Sequence, residues 1–534
     1  MSEPKTQASW CGIAALHAAA RSCARHKRAR PDALAFRLRE GEELLALAGR
    51  LEAGSYRPEP GRVFVTERPK HREVQAAVYR DRVVHHLLHG LLEPALERRF
   101  SDASFACRKG KGTHAAALRL QEWMWRLSRH GGVRVFALQL DVVNFFMSLH
   151  RQTLLAMLEP VAREVEAGLG GRLPPGAFGP WELCRRIVLH DPGAGAHRLG
   201  SPALFARVPP HKRLGALGPD RGLPIGNLTS QLFGNVYLTP LDDFVQRTLG
   251  IRGYVRYVDD FVLLHPNAAV LEQARDRVVA FLRERLRLEV RAKVLAPVSE
   301  GVDFVGYVIR PRYLLPRRRV VRAFSDKLAA LDARVTPVEV GPGVRLGMPG
   351  LRGVAGPVRV TRLDEASCEA ARTLWASYGG HLGYAASWRL RQRLWREHPH
   401  SAKLLRRDAG GVGRRFAPVR PSASFRAQLA RLARGITPEG SAKPAVLLVQ
   451  VGSFAELPPG GGRFGLRRSR GGRRAFGLPW RFAARLIERI LRAGRPVAVA
   501  IEEPQLCGNV KRRRLAYLYE PVQQRTGATK ERSP

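Results

Sequence analysis

Two adjacent carboxylates, Asp259 and Asp260, sit between two apolar, β-branched-rich runs in Gly253-Tyr254-Val255-Arg256-Tyr257-Val258-Asp259-Asp260-Phe261-Val262-Leu263-Leu264. The pattern predicts a β-hairpin with the pair at its turn. Neighbouring side chains on a strand point to opposite faces, but at a tight turn both carboxylates can approach one cation. Burying two negative charges is costly unless an ion compensates them, so the pair calls for a metal or a cationic substrate. A solvated turn, where Asp is a preferred residue, is the plainer alternative. A third carboxylate, Asp141, ends the buried-strand run Val135-Phe136-Ala137-Leu138-Gln139-Leu140 and precedes Val142-Val143-Asn144-Phe145-Phe146. A core strand can hold such a side chain rigidly at a cleft, so Asp141 could complete a metal site; alone, it could equally cap a helix.

Cationic and small residues surround these carboxylates in the sequence. Lys70 and Arg72, two apart on a predicted basic strand that follows the strand 61–66, could grip a triphosphate or a template backbone. Arg108, Lys109 and Lys111 alternate with Gly110 and Gly112, which suits a loop whose backbone comes close to phosphates. The GxxxxGK[ST] spacing of a Walker A loop is absent. In Leu223-Pro224-Ile225-Gly226-Asn227-Leu228-Thr229-Ser230-Gln231, the small residues Gly226, Thr229 and Ser230 leave room for a substrate at a helix expected to run to about Leu249. An amphipathic helix is expected over 267–288, then Lys293, then a short hairpin at Phe304-Val305-Gly306-Tyr307-Val308-Ile309.

The elements that must position these groups belong to a long chain. Its 534 residues imply several domains, and 45% hydrophobic with 25% charged residues is ordinary for a globular protein. The charge balance is unusual: 90 Lys+Arg against 46 Asp+Glu leave +44, which favours a polyanion such as nucleic acid. An Arg-rich coding bias could supply part of that excess. The six cysteines are scattered without a CxxC, which argues against a zinc site or disulfide framework and fits a reducing, cytoplasmic setting. No run of 18 apolar residues and no signal-peptide pattern indicates membrane or export. Residues 1–50 read as one or two helices with a basic turn at 25–28, and 191–222 read as loop.

In order, strand-Asp141, Gly226 to Gln231, Tyr257-Val258-Asp259-Asp260, Lys293 and Phe304 to Tyr307 resemble the fingers and palm of reverse transcriptases of the bacterial group related to group II introns. Tyr257 to Asp260 is similar to the family's YxDD box, Asp141 with Phe146 to its DxxxxF/Y box, and 68–72 with 108–113 to its fingers blocks. Ser377-Tyr378-Gly379-Gly380-His381 resembles the start of a thumb helix. The resemblance implies an α+β right-hand polymerase with an antiparallel palm sheet. It implies RNA-directed DNA synthesis with two Mg²⁺ ions held by Asp141, Asp259 and Asp260 at a spacing of about 3.5–4 Å. Lys70, Arg72, Gly226 and Gln231 would then face the nucleotide, and Arg108, Lys109, Lys111 and Tyr257 the nucleic acid. Phe146 would exclude a ribose 2′-OH, and Lys293 would assist the leaving pyrophosphate. Partners would be template RNA, a primer/cDNA duplex and a small accessory protein.

One box departs from the usual QGxxxSP. Ile225-Gly226-Asn227-Leu228-Thr229-Ser230-Gln231 is similar to the [I/V/L]GxxxSQ form of diversity-generating retroelement enzymes, which copy RNA with errors at adenines. A relative in phage defence, an intron maturase and a non-catalytic RNA-binding scaffold are the alternatives.

The C-terminal third completes the expected order: an N-terminal extension (1–50), fingers and palm (51–310), a basic helical thumb (311–408) interrupted by a Gly/Pro stretch (340–358), a linker (409–443) and a small α/β domain (444–534). In that last domain a buried strand from Ala445 leads into Gly452-Ser453-Phe454-Ala455-Glu456-Leu457, followed by a helix over about 481–493 and a strand from Pro496. The segment resembles the mismatch-binding N-terminal domain of MutS, where a Phe-x-Glu turn inserts its Phe beside a mispaired base and its Glu hydrogen-bonds the base; Phe454 and Glu456 keep that spacing. Ala455 stands where that family usually has Tyr. The plainer alternative makes Phe454 a core aromatic and Glu456 a solvated turn residue.

Overall fold

The structure, a computed structural model, describes residues 9–25, 30–67, 71–173, 176–340, 358–362, 365–408, 411–414, 424–436, 445–457, 476–507 and 510–521. Lys70, the basic turn 26–28, most of the Gly/Pro stretch and most of the expected linker lie outside the described residues. The chain divides into two compact units, Met1–Leu314 and Leu315–Pro534.

The first unit opens with α1 (Ile13–Ala24), α2 (Pro31–Leu38) and α3 (Glu40–Glu52), three helices where one or two are expected. Strands β1 (Arg62–Thr66) and β2 (Arg72–Ala76) form an antiparallel pair. Helices α4 (Tyr79–Glu97) and α5 (Thr113–Leu127) follow, then β3 (Phe136–Val142), α6 (Phe145–Ser148), α7 (Arg151–Leu169) and α8 (Pro180–Leu189). Residues 191–222 are not merely loop. They contain β4 (His197–Leu199), which pairs in parallel with β1, and α9 (Pro202–Ala206). Phe205 and Val208 of this segment bury against Val63 and Val65, an anchor that its Gly- and Pro-rich composition masks.

The central sheet comes next. Helix α10 (Leu228–Asp243) precedes the hairpin of β5 (Gly253–Tyr257) and β6 (Asp260–His265), and α11 (Ala268–Leu286) leads to β7 (Val290–Pro297). The order is β5-β6-β3-β7, with antiparallel pairing throughout. Alternation decides which face each residue serves. Leu138, Leu140 and Val142 enter the core shared with Phe261, Leu263 and the α10 and α11 side chains, so Gln139 and Asp141 face the other way. The expected short hairpin follows as β8 (Val302–Phe304) and β9 (Tyr307–Ile309). Val305 and Gly306 both take positive φ at its turn, as a type I′ turn requires.

Strand β10 (Leu314–Pro316) carries the chain into the second unit. There α12 (Arg318–Val335), β11 (Val338–Val340), β12 (Val358–Arg362), α13 (Glu365–Gly383), α14 (Trp388–Glu397) and α15 (Pro399–Lys403) precede the hairpin β13 (Leu405–Asp408)/β14 (Gly411–Arg414) and α16 (Phe425–Gly435). Ser377 to His381 lie in the last turns of α13 and do not start a helix. Trp375 and Tyr378, one turn apart, pack on Phe324 of α12 and anchor a helix that begins well before the small residues.

The chain ends with β15 (Val446–Val451), β16 (Phe454–Leu457), β17 (Phe476–Pro479), α17 (Ala483–Arg492), β18 (Val497–Cys507) and β19 (Val510–Pro521). Its seven-stranded sheet has the order β11-β12-β19-β18-β15-β16-β17, so segments expected as thumb and as C-terminal domain share one sheet. Among the described residues of this sheet, only β15 and β18 pair in parallel, with α17 between them in sequence. Both faces are covered. Val446 and Leu448 face Leu486, Ile487 and Ile490 of α17, whereas Leu447 and Val449 face Phe324, Leu328, Trp375 and Leu394. That double burial is why β15 reads as an unbroken apolar run.

Candidate active site

The turn between β5 and β6 is Val258-Asp259, closed by pairing of Tyr257 with Asp260. Val258 takes φ +56°, a strained region for a β-branched residue, at the first central position where a type II′ turn needs it. The turn is held from below by a buried ion pair. Arg256, fully buried, donates through Nε and Nη2 to the two Asp242 carboxylate oxygens at 2.7 and 2.6 Å, and through Nη1 to the Val258 carbonyl at 3.0 Å. Tyr254 adds a hydroxyl donor to Asp242 at 2.8 Å. Sequence reading missed this pair, although an Arg in a strand with Tyr, Val and Tyr was the available sign.

Asp141 stands directly across from Asp260 in the β3/β6 register, and the Val142 amide donates to the Asp259 carbonyl at 3.1 Å. The three expected carboxylates therefore gather at one end of adjacent strands. Gln139, two residues before Asp141 and on the same face, donates to Asp260 Oδ1 at 3.1 Å and to the Asp303 carbonyl at 3.0 Å. It too was missed, and its polarity inside an apolar strand was the clue. Lys293 occupies a register shift in β7. Gln139 pairs with Val294 and Leu140 with Ala292, leaving Lys293 as the extra, bulged residue. Its ammonium lies 3.1 Å from Asp260 Oδ1 and 3.6 Å from Asp141 Oδ1.

Burial and the charge of Asp141 push the Asp259 carboxyl up to about 6. Burial also raises Asp260, against the pull of Lys293 and the Gln139 amide. Crowded, partly desolvated carboxylates of this kind want a cation. Among the described residues, no group of three His, Cys, Asp or Glu side chains converges as a ready-made metal cage. Mg²⁺ does not require one, because it commonly takes one or two carboxylates and completes its shell with water and substrate phosphates. The Lys293 ammonium lies between Asp260 and Asp141 and partly balances their charge.

A cavity of about 180 Å³ adjoins Asp141, lined also by His71, Arg72, Phe145, Phe146, Lys212 and Arg291. Phe146 is half-buried against Phe145, and Gly234 of α10 leaves room for both rings, since a Cβ there would meet them at 3.1 and 3.3 Å. Gly226 takes φ +119° against β2, where an added Cβ would meet Val74 at 3.0 Å; the Gln75 amide donates to the Ile225 carbonyl beside it. Gln231 is exposed in the first turn of α10, while Thr229 is buried and shares a 2.6 Å hydrogen bond with His85 of α4. Tyr257 is half-buried at the end of β5.

The glycine loop is held by its own cations. Arg108 is turned inward, pairing with Glu97 and donating to the Ser101 and Ser104 carbonyls. Lys109 pairs with Glu93, and Lys111 bonds the Asp102 carbonyl. In the second unit, Gly452 and Ser453 form the turn between β15 and β16, with φ +57° at Gly452. Phe454 is 49% exposed there, whereas Glu456 is buried. Phe454 is thus no core aromatic, and Glu456 no solvated turn residue.

Among the described residues no helix is long and apolar enough to cross a membrane. No protein-family model and no curated protein matches the sequence. Among solved structures, the chain is similar to telomerase from Candida albicans in complex with a TWJ fragment of telomeric RNA, with TM-score 0.35 and 13% identity over 65% of this chain and 60% of that one. It is similar to apo telomerase from Candida tropicalis with TM-score 0.34 and 13% identity, over 51% of this chain and 52% of that one. The chain thus spans between half and three fifths of the length of these solved chains.

Proposed function

We propose that this chain is an RNA-directed DNA polymerase whose palm is the β5-β6-β3-β7 sheet. The observation that carries the reading is the register of Asp141 against Asp260, with Asp259 in the adjoining turn and a cation already between two of them. Two bound Mg²⁺ ions would supply activation of a primer 3′-OH and charge neutralisation of a nucleoside triphosphate. The chain's own residues do the rest. Asp141, Asp259 and Asp260 present hard oxygen ligands from a rigid sheet end, and Gln139 fixes one oxygen of Asp260. Arg72 lines the cavity beside Asp141 and would neutralise phosphate charge; Lys70, two residues earlier in the sequence, is the second cation expected for that role. Phe146 borders the same cavity and narrows it against a 2′-OH.

The Gly226-to-Gln231 box carries the finer reading, an adenine-biased, mutagenic enzyme of a diversity-generating retroelement. Copying a defined RNA with dNTPs and Mg²⁺ and sequencing the product tests it. Errors concentrated opposite template adenines are expected. Accurate copying would leave the polymerase but remove the mutagenic role. For the second unit we propose engagement of mismatched duplex through Phe454, since an apolar wedge enters most cheaply where stacking is already weak. Weaker binding of a mismatched duplex by Phe454→Ala is expected, and unchanged binding would remove that role.

A further inference from the structure

The cations around the 180 Å³ cavity do not all come from the segments that resemble polymerase motifs. Arg72 comes from β2 and Arg291 from β7, where it is the register partner of Asp141. Lys212 comes from the 191–222 segment, which contributes no strand to the palm sheet. That segment is firmly built. β4 extends the β1/β2 sheet, Phe205 and Val208 are buried on it, and the Leu214 amide donates to the buried Glu73 carboxylate at 3.3 Å. Glu73 is tied in turn to Gln75 at 3.0 Å. At the far end Gly222, with φ +85°, leaves the space that Leu214 fills, since a Cβ would meet its Cδ1 at 2.3 Å. Lys212 is therefore held between two fixed anchors.

Three cations, Arg72, Lys212 and Arg291, face a single carboxylate, Asp141, in the lining of this small cavity, an excess of positive charge that suits an anion. Elsewhere in this unit Arg80, Arg82 and Arg108 are paired with carboxylates. Among the described residues, Arg72, Lys212 and Arg291 make no ion pair. The buried Nε2 of His71 in the same lining also has no hydrogen-bond partner among them. The volume is below the roughly 300–1,000 Å³ of pockets that enclose whole small molecules, and so suits the phosphates of a larger ligand.

We propose that the 191–222 segment is part of the nucleotide site and that Lys212, with Arg291, binds the phosphates of the incoming nucleoside triphosphate. This rests on the polymerase reading, from which it differs in assigning the grip to residues outside the recognisable motifs. The test is a titration of the full chain, bound to an RNA template–DNA primer and Mg²⁺, with the fluorescent nucleotide mant-dATP. Lys212→Gln is expected to weaken mant-dATP binding by about tenfold, the scale of one charge-assisted contact, and Lys212→Arg to restore most of it. Template–primer affinity, read by anisotropy, is expected to stay within twofold. Unchanged mant-dATP binding by Lys212→Gln overturns the proposal. So does a loss of template–primer binding, because Lys212 would then serve the duplex or the fold. Primer extension by the parent chain separates the two readings. Lys212-dependent mant-dATP binding without extension would sink the polymerase reading alone, and extension with a Lys212-independent KM would sink this one alone.

Discussion

The Lys293 ammonium lies 3.1 Å from Oδ1 of Asp260, held there by a bulge in β7. A divalent ion on Asp260 must compete with it. Lys293→Gln is therefore expected to bind Mg²⁺ more tightly, by roughly two- to fivefold, the scale of a partly exposed ion pair. Mg²⁺-dependent shifts in melting temperature at pH 7.5 read this directly. Equal or weaker Mg²⁺ binding would show that the contact does not occupy the metal position.

The Arg256–Asp242 pair should matter more for stability than any surface ion pair. Both side chains are fully buried, and removing one partner strands the other's charge. Arg256→Met is expected to destabilise the fold by roughly 3–5 kcal/mol in urea unfolding, and adding Asp242→Leu to recover much of it. A loss below about 1 kcal/mol for Arg256→Met, the range of exposed pairs, would contradict the assigned role.

Asp259 gives a pH dependence with a definite sign. Its folded-state pKa of about 6 is raised above the unfolded value of about 3.9. Its contribution to stability is thus full below about pH 4 and is lost as pH rises through about 6. Without metal, Asp259→Asn is expected to flatten the fall in melting temperature across that window. Added Mg²⁺ should stabilise the parent more at pH 7.5 than at pH 5.5, because the ligands must be deprotonated. An equal Mg²⁺ shift at both pH values would count against Asp259 as a ligand.

Phe146 has a readout of its own. If its ring narrows the cavity beside Asp141, Phe146→Ala should raise ribonucleotide incorporation relative to deoxyribonucleotide by about tenfold or more, a discrimination of the size that one well-placed contact provides. Competition between rNTPs and dNTPs on one template measures it. An unchanged ratio would remove Phe146 from sugar selection.

How much of this was legible in the sequence follows from how local each signal is. Asp259 and Asp260 announce a hairpin because turn chemistry and β-branched flanks lie within a dozen residues, and Asp141 ends a run of strand formers. Their convergence depends on β3 lying between β6 and β7, a long-range pairing that the motif order suggested and the spacing alone did not contain. Lys212 left no trace, because a loop-like composition hides two buried anchors and a short parallel strand. The glycine loop hides a partner of another kind. Its cations read as phosphate ligands, yet Arg108 finds Glu97 on the neighbouring helix, a partner eleven residues away that periodicity does not reveal. The shared sheet of the second unit was hidden for the same reason, since β12 and β19 are far apart in sequence.

The central claim is that Asp141, Asp259 and Asp260 run nucleotide addition on an RNA template. The most direct measurement is extension of a DNA primer on RNA with dNTPs and Mg²⁺, comparing the parent chain with Asp141→Asn, Asp259→Asn and Asp260→Asn, each checked for an intact melting transition. The account predicts extension by the parent and a loss of at least about a hundredfold in each variant. Extension that survives in folded Asp259→Asn at the parental rate would contradict it.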